Sequence, residues 1–234
     1  MTVVGCGRQL QVLVLAKAPR AGQVKTRLCP PCTPQAAAAV AEAALADTLD
    51  AVASCSAESK VLALDGSAGP WLPSGIDVIP QRGDDLGERI ANAWADTRAR
   101  TGGWGLQLGM DTPHVTAAEL DSLLMRLCTI GSRRDKGALL GPAFDGGWWI
   151  IGLAGADPDK VFAGVPMSTA STAQMQARRL RSLGLRVLAA PARRDIDTIE
   201  DLEAVVPTIP RSRTAAVARA VLDHFPSLSG VEVA

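Results

Sequence analysis

Short apolar runs alternate with amphipathic segments along most of the chain, and this alternation restricts the folds that it can adopt. Seven runs have the composition and length of strands, at residues 12–16, 61–65, 76–80, 105–109, 138–141, 148–153 and 186–190. Other segments predict six helices, at residues 34–52, 87–100, 117–128, 172–183, 199–205 and 213–225. Strands that alternate with helices favour an α/β fold, so we predict a Rossmann-like domain with a mostly parallel central sheet and helices on both faces.

The length of 234 residues and the hydrophobic content of 47% are ordinary for one large α/β domain. We predict a single domain over residues 1–234, with a core at about 10–205 and a C-terminal helix at 213–225, because no repeat or low-complexity linker divides the chain.

The formal net charge is zero, which argues against nucleic acid or a membrane as a partner, since binding to either needs a charged face. No apolar run reaches the ~20 residues of a membrane span, and the N-terminus lacks a signal-peptide pattern, so we expect a cytoplasmic protein. The sequence leaves the oligomeric state open, a homodimer included.

Five cysteines are an odd number in a chain of this size, which indicates reduced thiols rather than a disulfide framework. Cys29 and Cys32 form a Cys-Pro-Pro-Cys sequence, a spacing found in redox pairs and in zinc sites. Zinc would need two more ligands, but the histidines are only His114 and His224, and no second such pair exists. A thioredoxin-type pair would directly follow a strand, whereas a long basic loop intervenes here. We therefore favour incidental placement in a loop.

Four cations follow the first predicted strand directly, with a glycine among them: Lys17, Arg20, Gly22, Lys25 and Arg27. Loops at the carboxyl ends of parallel strands bind ligands in open α/β sheets, and a glycine lets backbone N–H groups approach phosphate closely. The alternative is a solvated basic loop, but its position after the most hydrophobic strand favours a polyanion site. Side chains two positions apart in an extended segment face the same side, so we predict that Lys25 and Arg27 grip one diphosphate.

Five ordered motifs resemble a bacterial GT-A-like family. They are AKAPRAGQVKTRL at residues 16–28, DLGER at 85–89, GMDTP at 109–113, GPAFDGGWWIIGL at 141–153 and DIDTIEDL at 195–202. Members of that family are labelled as a domain of unknown function or as candidate glycosyltransferases, and the family is similar to molybdopterin-cofactor and phospholactate nucleotidyltransferases. The resemblance covers about residues 10–205. It implies a single GT-A domain of the nucleotide-diphospho-sugar transferase superfamily, a nucleotide substrate, a small-molecule acceptor and a divalent cation, Mg²⁺ or Mn²⁺.

Asp111 is the first candidate metal ligand, because it follows a short apolar strand on the same edge as the basic loop. The resemblance places a shortened acidic motif there that holds the metal. Magnesium takes oxygen ligands and keeps several waters, so one or two carboxylates suffice. For the second carboxylate the sequence offers Asp197, ahead of a capping box of Thr198 and Asp201, and Asp145 in an Asp-Gly turn. A C-terminal residue completes the metal site in related nucleotidyltransferases, so Asp197 ranks before Asp145.

The same resemblance suggests roles for further residues. The candidate nucleotide-binding residues are Ala16, Lys17, Arg20, Gly22, Lys25, Arg27, Gln81, Gly87, Arg89 and Gly109. The candidate acceptor-binding residues are Asp145, Gly146, Gly147, Trp148, Ser168 and Thr169. Residues 81–89 would shape the base or acceptor pocket, although their acids equally suit the first turn of a helix. Met167 stands where the family commonly has tryptophan, which leaves the acceptor open because a thioether and an indole recognise different groups.

These residues predict a metal-dependent transferase acting on a nucleotide, with Lys25, Arg27 and Asp111 as the candidate catalytic residues. No side-chain nucleophile is required, because displacement at phosphorus or at an anomeric carbon depends on positioning and charge stabilisation. The dense basic loop favours nucleotidyl transfer from a nucleoside triphosphate to a small phosphorylated or sugar-like acceptor, because a departing pyrophosphate needs many cations. Glycosyl transfer from a nucleotide-sugar needs fewer and is the second hypothesis. A non-catalytic nucleotide-binding or sugar-binding protein is the third.

Overall fold

A computed structural model describes residues 7–131 and 136–222 of the protein. Its strands are β1 (Gln11–Lys17), β2 (Ser59–Asp65), β3 (Asp77–Pro80), β4 (Trp104–Leu108), β5 (Gly137–Pro142), β6 (Trp148–Ala154) and β7 (Arg186–Ala189). Its α-helices are α1 (Pro34–Ser54), α2 (Leu86–Thr101), α3 (Ala117–Gly131), α4 (Pro158–Phe162), α5 (Thr172–Ser182), α6 (Ile199–Val205) and α7 (Arg213–Leu222). The seven predicted strands are therefore present, with bounds that differ by one or two residues.

The strands form one seven-stranded sheet in the order β3-β2-β1-β4-β6-β5-β7. Strand β6 pairs antiparallel with β4 and with β5, and the other neighbouring pairs are parallel. The predicted mostly parallel α/β sheet is thus confirmed. Because β6 alone runs in the opposite direction, its amino end lies at the same edge as the carboxyl ends of the other six strands. The loops after β1, β4 and β7 and the β5–β6 turn consequently meet at one edge of the sheet.

Both faces of the sheet are covered by helices, as the alternation of elements predicted. On one face Val12 and Val14 of β1 belong to a buried cluster with Leu45 of α1 and Leu124 of α3. On the other face Leu13 belongs to a second cluster, with side chains of α2, α4 and α5. Successive residues of a strand point to opposite faces, so one short strand contributes to both clusters.

A third cluster fixes the loop that follows β1. Leu28 and Ile196 are both fully buried in it, together with residues of α1, α6 and α7. This packing holds the end of the basic loop beside the segment that follows β7. The charged residues next to Leu28 and Ile196 are therefore brought together by an apolar contact.

Side-chain caps set the first residues of three helices. The Thr33 hydroxyl accepts a hydrogen bond from the Ala36 N–H at the start of α1, and Pro34 occupies the first helical position. The Asp85 carboxylate accepts one from the Glu88 N–H at the start of α2. The predicted capping box at the start of α6 is present in full.

Three differences from the sequence predictions concern helices. The short helix α4 is not predicted, because five residues are too few for a periodic pattern. Helix α3 continues to Gly131, three residues beyond the predicted end. The last predicted helix begins at Arg213, and residues 223–225 of it lie outside the described residues, as do Cys6 and His224. Within the described ranges, no helix is both long and apolar enough to span a membrane.

Candidate active site

A cavity of about 650 Å³ opens at the edge where the loops meet. This volume is in the range of small-molecule sites. Twelve of the residues that the sequence proposed for a site line it: Ala16, Lys17, Lys25, Gln81, Arg89, Gly109, Asp111, Asp145, Gly147, Trp148, Ser168 and Asp197. Motifs that are far apart in the sequence are therefore brought to one place.

The remaining proposed residues do not line this cavity: Arg20, Gly22, Arg27, Gly87, Gly146 and Thr169. Gly146 has a structural role instead. Its φ of 91° suits glycine, and a Cβ there would lie 2.1 Å from the carbonyl oxygen of Ala170. Gly87 lies in the first turn of α2, where a Cβ would be 3.2 Å from a carboxylate oxygen of Asp85.

Lys25 and Arg27 do not lie in an extended segment, so the prediction that their side chains share one face is wrong. Lys25 has a left-handed backbone conformation with φ of 50°, and residues Thr26–Leu28 form a 3₁₀ turn. The Lys25 side chain is only 6% exposed, and its ammonium group contacts Asp111 Oδ1 and the carbonyl oxygen of Ile196. The Arg27 side chain is 73% exposed, and its Nη1 lies 2.6 Å from Asp197 Oδ2. Lys25 therefore belongs to the cavity wall, whereas Arg27 is paired with the lining residue Asp197 and does not line the cavity itself.

Asp195 is a half-buried acid that lines the same cavity, and the sequence interpretation missed it. The Ile196 N–H donates to the carbonyl oxygen of Asp111 over 2.9 Å, which places Asp195 beside the end of β4. Burial raises the pKa of Asp195 to about 7, with further contributions from the negative charges of Asp111 and Asp145, while Lys25 acts in the opposite direction. Its Oδ1 atom is buried and has no hydrogen-bond partner among the described residues.

The acids of the cavity do not form a preorganised metal cage. Within the described ranges, no three His, Cys, Asp or Glu side chains are close enough together to hold a metal ion. Asp111 is paired with Lys25, and Asp197 is paired with Arg27. Carboxylate oxygens are nevertheless the donors that Mg²⁺ and Mn²⁺ prefer, and the unpaired oxygen of Asp195 is one that a cation could satisfy.

Gln81 is held in one orientation on the β1 side of the cavity. Its Nε2 donates to the carbonyl oxygens of Ala16 and Ala63, over 2.7 and 3.0 Å. An amide oxygen in that position would face two carbonyl oxygens, so the contacts fix which end is nitrogen. Nearby, Arg89 donates to Asp65 over 3.0 Å and to the carbonyl oxygen of Gly83 over 3.1 Å.

The β5–β6 turn forms the wall of the cavity on the other side from β1. The Gly147 N–H donates to Asp145 Oδ1 over 2.8 Å, and the Ala173 N–H donates to the carbonyl oxygen of Gly146 over 2.9 Å. The first bond lies within the turn, and the second attaches the turn to the start of α5. Trp148 of β6 lines the cavity beside Ser168, whose φ of 58° is uncommon for a residue other than glycine.

Sequence reasoning also missed several neutral or apolar wall residues: Leu15, Gln23, Val24, Ile90, Gln107, Met110, Thr112 and Thr172. Most carry no chemical signal, because an apolar side chain at a strand end resembles any core residue. Thr112 is an exception. Its hydroxyl is buried and has no partner among the described residues, but the sequence alone does not reveal burial.

The sheet order and the position of the cavity agree with a GT-A-like protein of the nucleotide-diphospho-sugar transferase superfamily, as do the following comparisons. The chain belongs to the family DUF2064, described as uncharacterized proteins conserved in bacteria, whose sequence profile matches residues 31–169. This match covers more than half of the chain and confirms the family resemblance of the motifs.

Solved structures agree with this fold. The structure is similar to a candidate nucleotide-diphospho-sugar transferase from Desulfovibrio desulfuricans G20, with 28% sequence identity, a TM-score of 0.79 and coverage of 93% of this chain and 96% of that chain. It is also similar to a cytidylyltransferase from Leptospira borgpetersenii serovar Hardjo-bovis, with 16% identity, a TM-score of 0.55 and coverage of 93% and 95%. The second likeness shows the fold alone. No protein of curated function matches the sequence.

Proposed function

We propose that the protein is a metal-dependent transferase that takes a nucleotide-diphospho-sugar as donor and transfers the sugar to a small acceptor. The observation that carries this proposal is the buried Lys25, which sits against Asp111 in a cavity at the carboxyl edge of the sheet. A nucleotide donor also agrees with the name of the similar Desulfovibrio protein.

The charge of the cavity supports metal dependence. Five aspartates but only three cations, Lys17, Lys25 and Arg89, line the described part of it. An anionic diphosphate therefore needs more positive charge than the side chains supply, and a divalent cation would supply it. We propose that the carboxylates of Asp111 and Asp195 would bind this cation, Asp195 through its unpaired Oδ1 atom. Bound there, Mg²⁺ or Mn²⁺ would stabilise negative charge on the phosphates.

The number of cations favours glycosyl transfer over nucleotidyl transfer. The sequence favoured nucleotidyl transfer because all four cations of the basic loop were expected to contact a departing pyrophosphate. Only Lys17 and Lys25 of those four line the cavity. Two cations and a divalent ion are sufficient for a departing nucleoside diphosphate.

In this reaction the acceptor hydroxyl oxygen forms a bond to the anomeric carbon of the donor sugar. The bond from that carbon to the β-phosphate oxygen breaks, and its electron pair stays on the nucleoside diphosphate. Lys25 stabilises the charge that develops on the departing diphosphate. The hydroxyl proton passes to the carboxylate of Asp145, on the opposite wall.

Nucleotidyl transfer is the second candidate, and one observation favours it. Arg27 pairs with the cavity-lining Asp197, so a third phosphate that extends past Asp197 would meet the Arg27 guanidinium. In that reaction an acceptor oxygen attacks the α-phosphorus, and pyrophosphate leaves with the electron pair of the broken bond.

A ligand panel separates these functions. Thermal shifts are measured with nucleotide-diphospho-sugars (UDP-glucose, GDP-mannose, ADP-glucose, dTDP-glucose and CDP-glucose) and with the five matching triphosphates, each with and without Mg²⁺ or Mn²⁺. We expect the largest metal-dependent shift with a nucleotide-sugar, and release of nucleoside diphosphate when a mixture of sugars and polyols is added. Pyrophosphate release from a triphosphate would favour nucleotidyl transfer. Binding without turnover of either donor would indicate a non-catalytic protein.

A further inference from the structure

The two walls of the cavity differ in charge. The β1 side carries all the lining cations of the described chain, which are Lys17, Lys25 and Arg89. The side formed by the β5–β6 turn and the start of α5 contributes a carboxylate, hydroxyl groups, an indole and a thioether instead. An anionic donor belongs on the first side, so the second side remains for the acceptor.

We infer that the acceptor is an uncharged, hydroxyl-bearing compound, such as a sugar or polyol, and not a phosphorylated one. Asp145 and Trp148 are the residues that we assign to its recognition. The inference rests on the proposed transferase function, and it narrows the phosphorylated or sugar-like acceptor that the sequence left open.

Asp145 is suited to hydroxyl groups and unsuited to anions. Its Oδ1 accepts from the Gly147 N–H over 2.8 Å, which orients the carboxylate, and the side chain is exposed at the cavity. No described Lys or Arg forms an ion pair with it. A carboxylate can accept hydrogen bonds from several hydroxyl groups at once, but it repels a phosphate.

Two arginines in the segment after β7, Arg193 and Arg194, do not neutralise the negative charge of Asp145. Arg193 pairs with Glu119 and lies 5.4 Å from the centre of the Trp149 ring. Arg194 lies 2.8 Å from Asp201 and stacks over Phe144. Each guanidinium group therefore has a carboxylate partner of its own, and neither residue lines the cavity.

The wall beside Asp145 offers an apolar surface. Trp148 and Met167 both line the cavity there, and the Trp148 ring lies 6.4 Å from that of Phe162. An aromatic face stacks on the C–H face of a pyranose, while a carboxylate next to it binds the hydroxyl groups at the ring edge. Ser168 adds an exposed hydroxyl at the same wall.

Matched pairs of neutral and phosphorylated compounds test the inference. The pairs are glycerol with glycerol 3-phosphate, glucose with glucose 6-phosphate, and mannose with mannose 6-phosphate. Binding is measured by saturation-transfer NMR and by calorimetry on the full chain with Mg²⁺ and a saturating nucleoside diphosphate. We expect at least one neutral compound to bind, and to bind tenfold or more tightly than its phosphorylated partner.

Two variants then test whether the wall that contains Asp145 causes the preference for neutral compounds. Asp145→Asn should weaken binding of the neutral compound about tenfold and should reduce the preference over its phosphorylated partner, while affinity for the nucleoside diphosphate stays unchanged. Asp159→Asn removes an exposed carboxylate that does not line the cavity and should leave the preference unchanged.

Three results would overturn the inference. These are equal or tighter binding of the phosphorylated compounds, failure of every neutral compound to bind, and an unchanged preference in Asp145→Asn. Failure of the proposed function gives a different result, because the wild-type protein would then either not bind the nucleoside diphosphate or release pyrophosphate from a triphosphate in the ligand panel.

Discussion

Replacing Lys25 with methionine should change metal binding and nucleotide binding in opposite directions. The Lys25 side chain is 6% exposed, and its ammonium group contacts Asp111, the first candidate metal ligand. Methionine keeps most of the side-chain volume and removes the charge. A divalent cation would no longer compete with the ammonium group for Asp111, whereas a diphosphate would lose one of its positive partners.

The magnitudes follow from the contacts. A charge-assisted hydrogen bond contributes about 1.5–3 kcal/mol, so the affinity for a nucleoside diphosphate should fall by about 10-fold to 100-fold. Asp111 is 39% exposed, so its pairing with Lys25 is partly screened by solvent. Breaking this ion pair costs Mg²⁺ on the order of 1 kcal/mol of binding free energy in the wild type. Because the variant lacks the ion pair, its Mg²⁺ affinity without nucleotide should be about fivefold higher.

Isothermal titration calorimetry of MgCl₂ and of a nucleoside diphosphate measures both effects. Arg20→Met is the matched control, because Arg20 lies in the same loop but does not line the cavity, and neither affinity should change. If Lys25→Met weakens Mg²⁺ binding, or leaves nucleotide affinity at the wild-type value, the assignment of Lys25 between metal and diphosphate is refuted.

Three further predictions concern other residues. Asp111→Asn should abolish metal-dependent nucleotide binding without altering the circular dichroism spectrum, because it removes a charged oxygen ligand at almost constant volume; unchanged metal dependence in calorimetry would contradict the assignment. Replacement of both Cys29 and Cys32 by serine should leave nucleotide affinity nearly unchanged, because neither cysteine lines the cavity and because burial and the neighbouring Cys29 raise the pKa of the Cys32 thiol, which disfavours the reactive thiolate. Stoichiometric zinc in the purified protein would oppose that prediction. Burial, and then the charge of Arg193, lower the pKa of His114 from 6.5 to about 4, so the unfolded chain binds a proton in this window that the native state does not. The free energy of unfolding should therefore fall as pH falls from 6.5 to 4, and calorimetric scans of His114→Gln should show a weaker decline; an identical pH profile would show that His114 is not responsible.

Local patterns in the sequence predict the sheet and the order of its elements. The strand at residues 148–153 illustrates the limit of such patterns, because its composition does not reveal that β6 runs antiparallel to its neighbours. The short helix α4 carries no periodic signal at all. Direction and order depend on contacts between distant segments, which a single sequence does not display.

The absence of such long-range contacts from a single sequence also explains which site residues could be predicted and which could not. Lys25 and Asp111 stand in motifs with recognisable charge, and the structure brings them into direct contact. The expected geometry of Lys25 and Arg27 was wrong because the local backbone turns at Lys25. Asp195 was missed because its importance comes from partial burial near the charge of Asp111, which is a property of the folded chain.

The contacts of Lys25 also determine when the site can form. Lys25 and Ile196 are separated by 171 positions in the chain, and Arg27 and Asp197 by 170. Bringing such distant segments together carries an entropic cost of loop closure, and neither contact can form until both of its segments are present. During synthesis on the ribosome, Lys25 is made long before Asp111 and much longer before Ile196. The cavity can therefore reach its complete form only when the β7 segment has emerged, and a nascent chain that ends before it holds the basic loop without the partners that orient it.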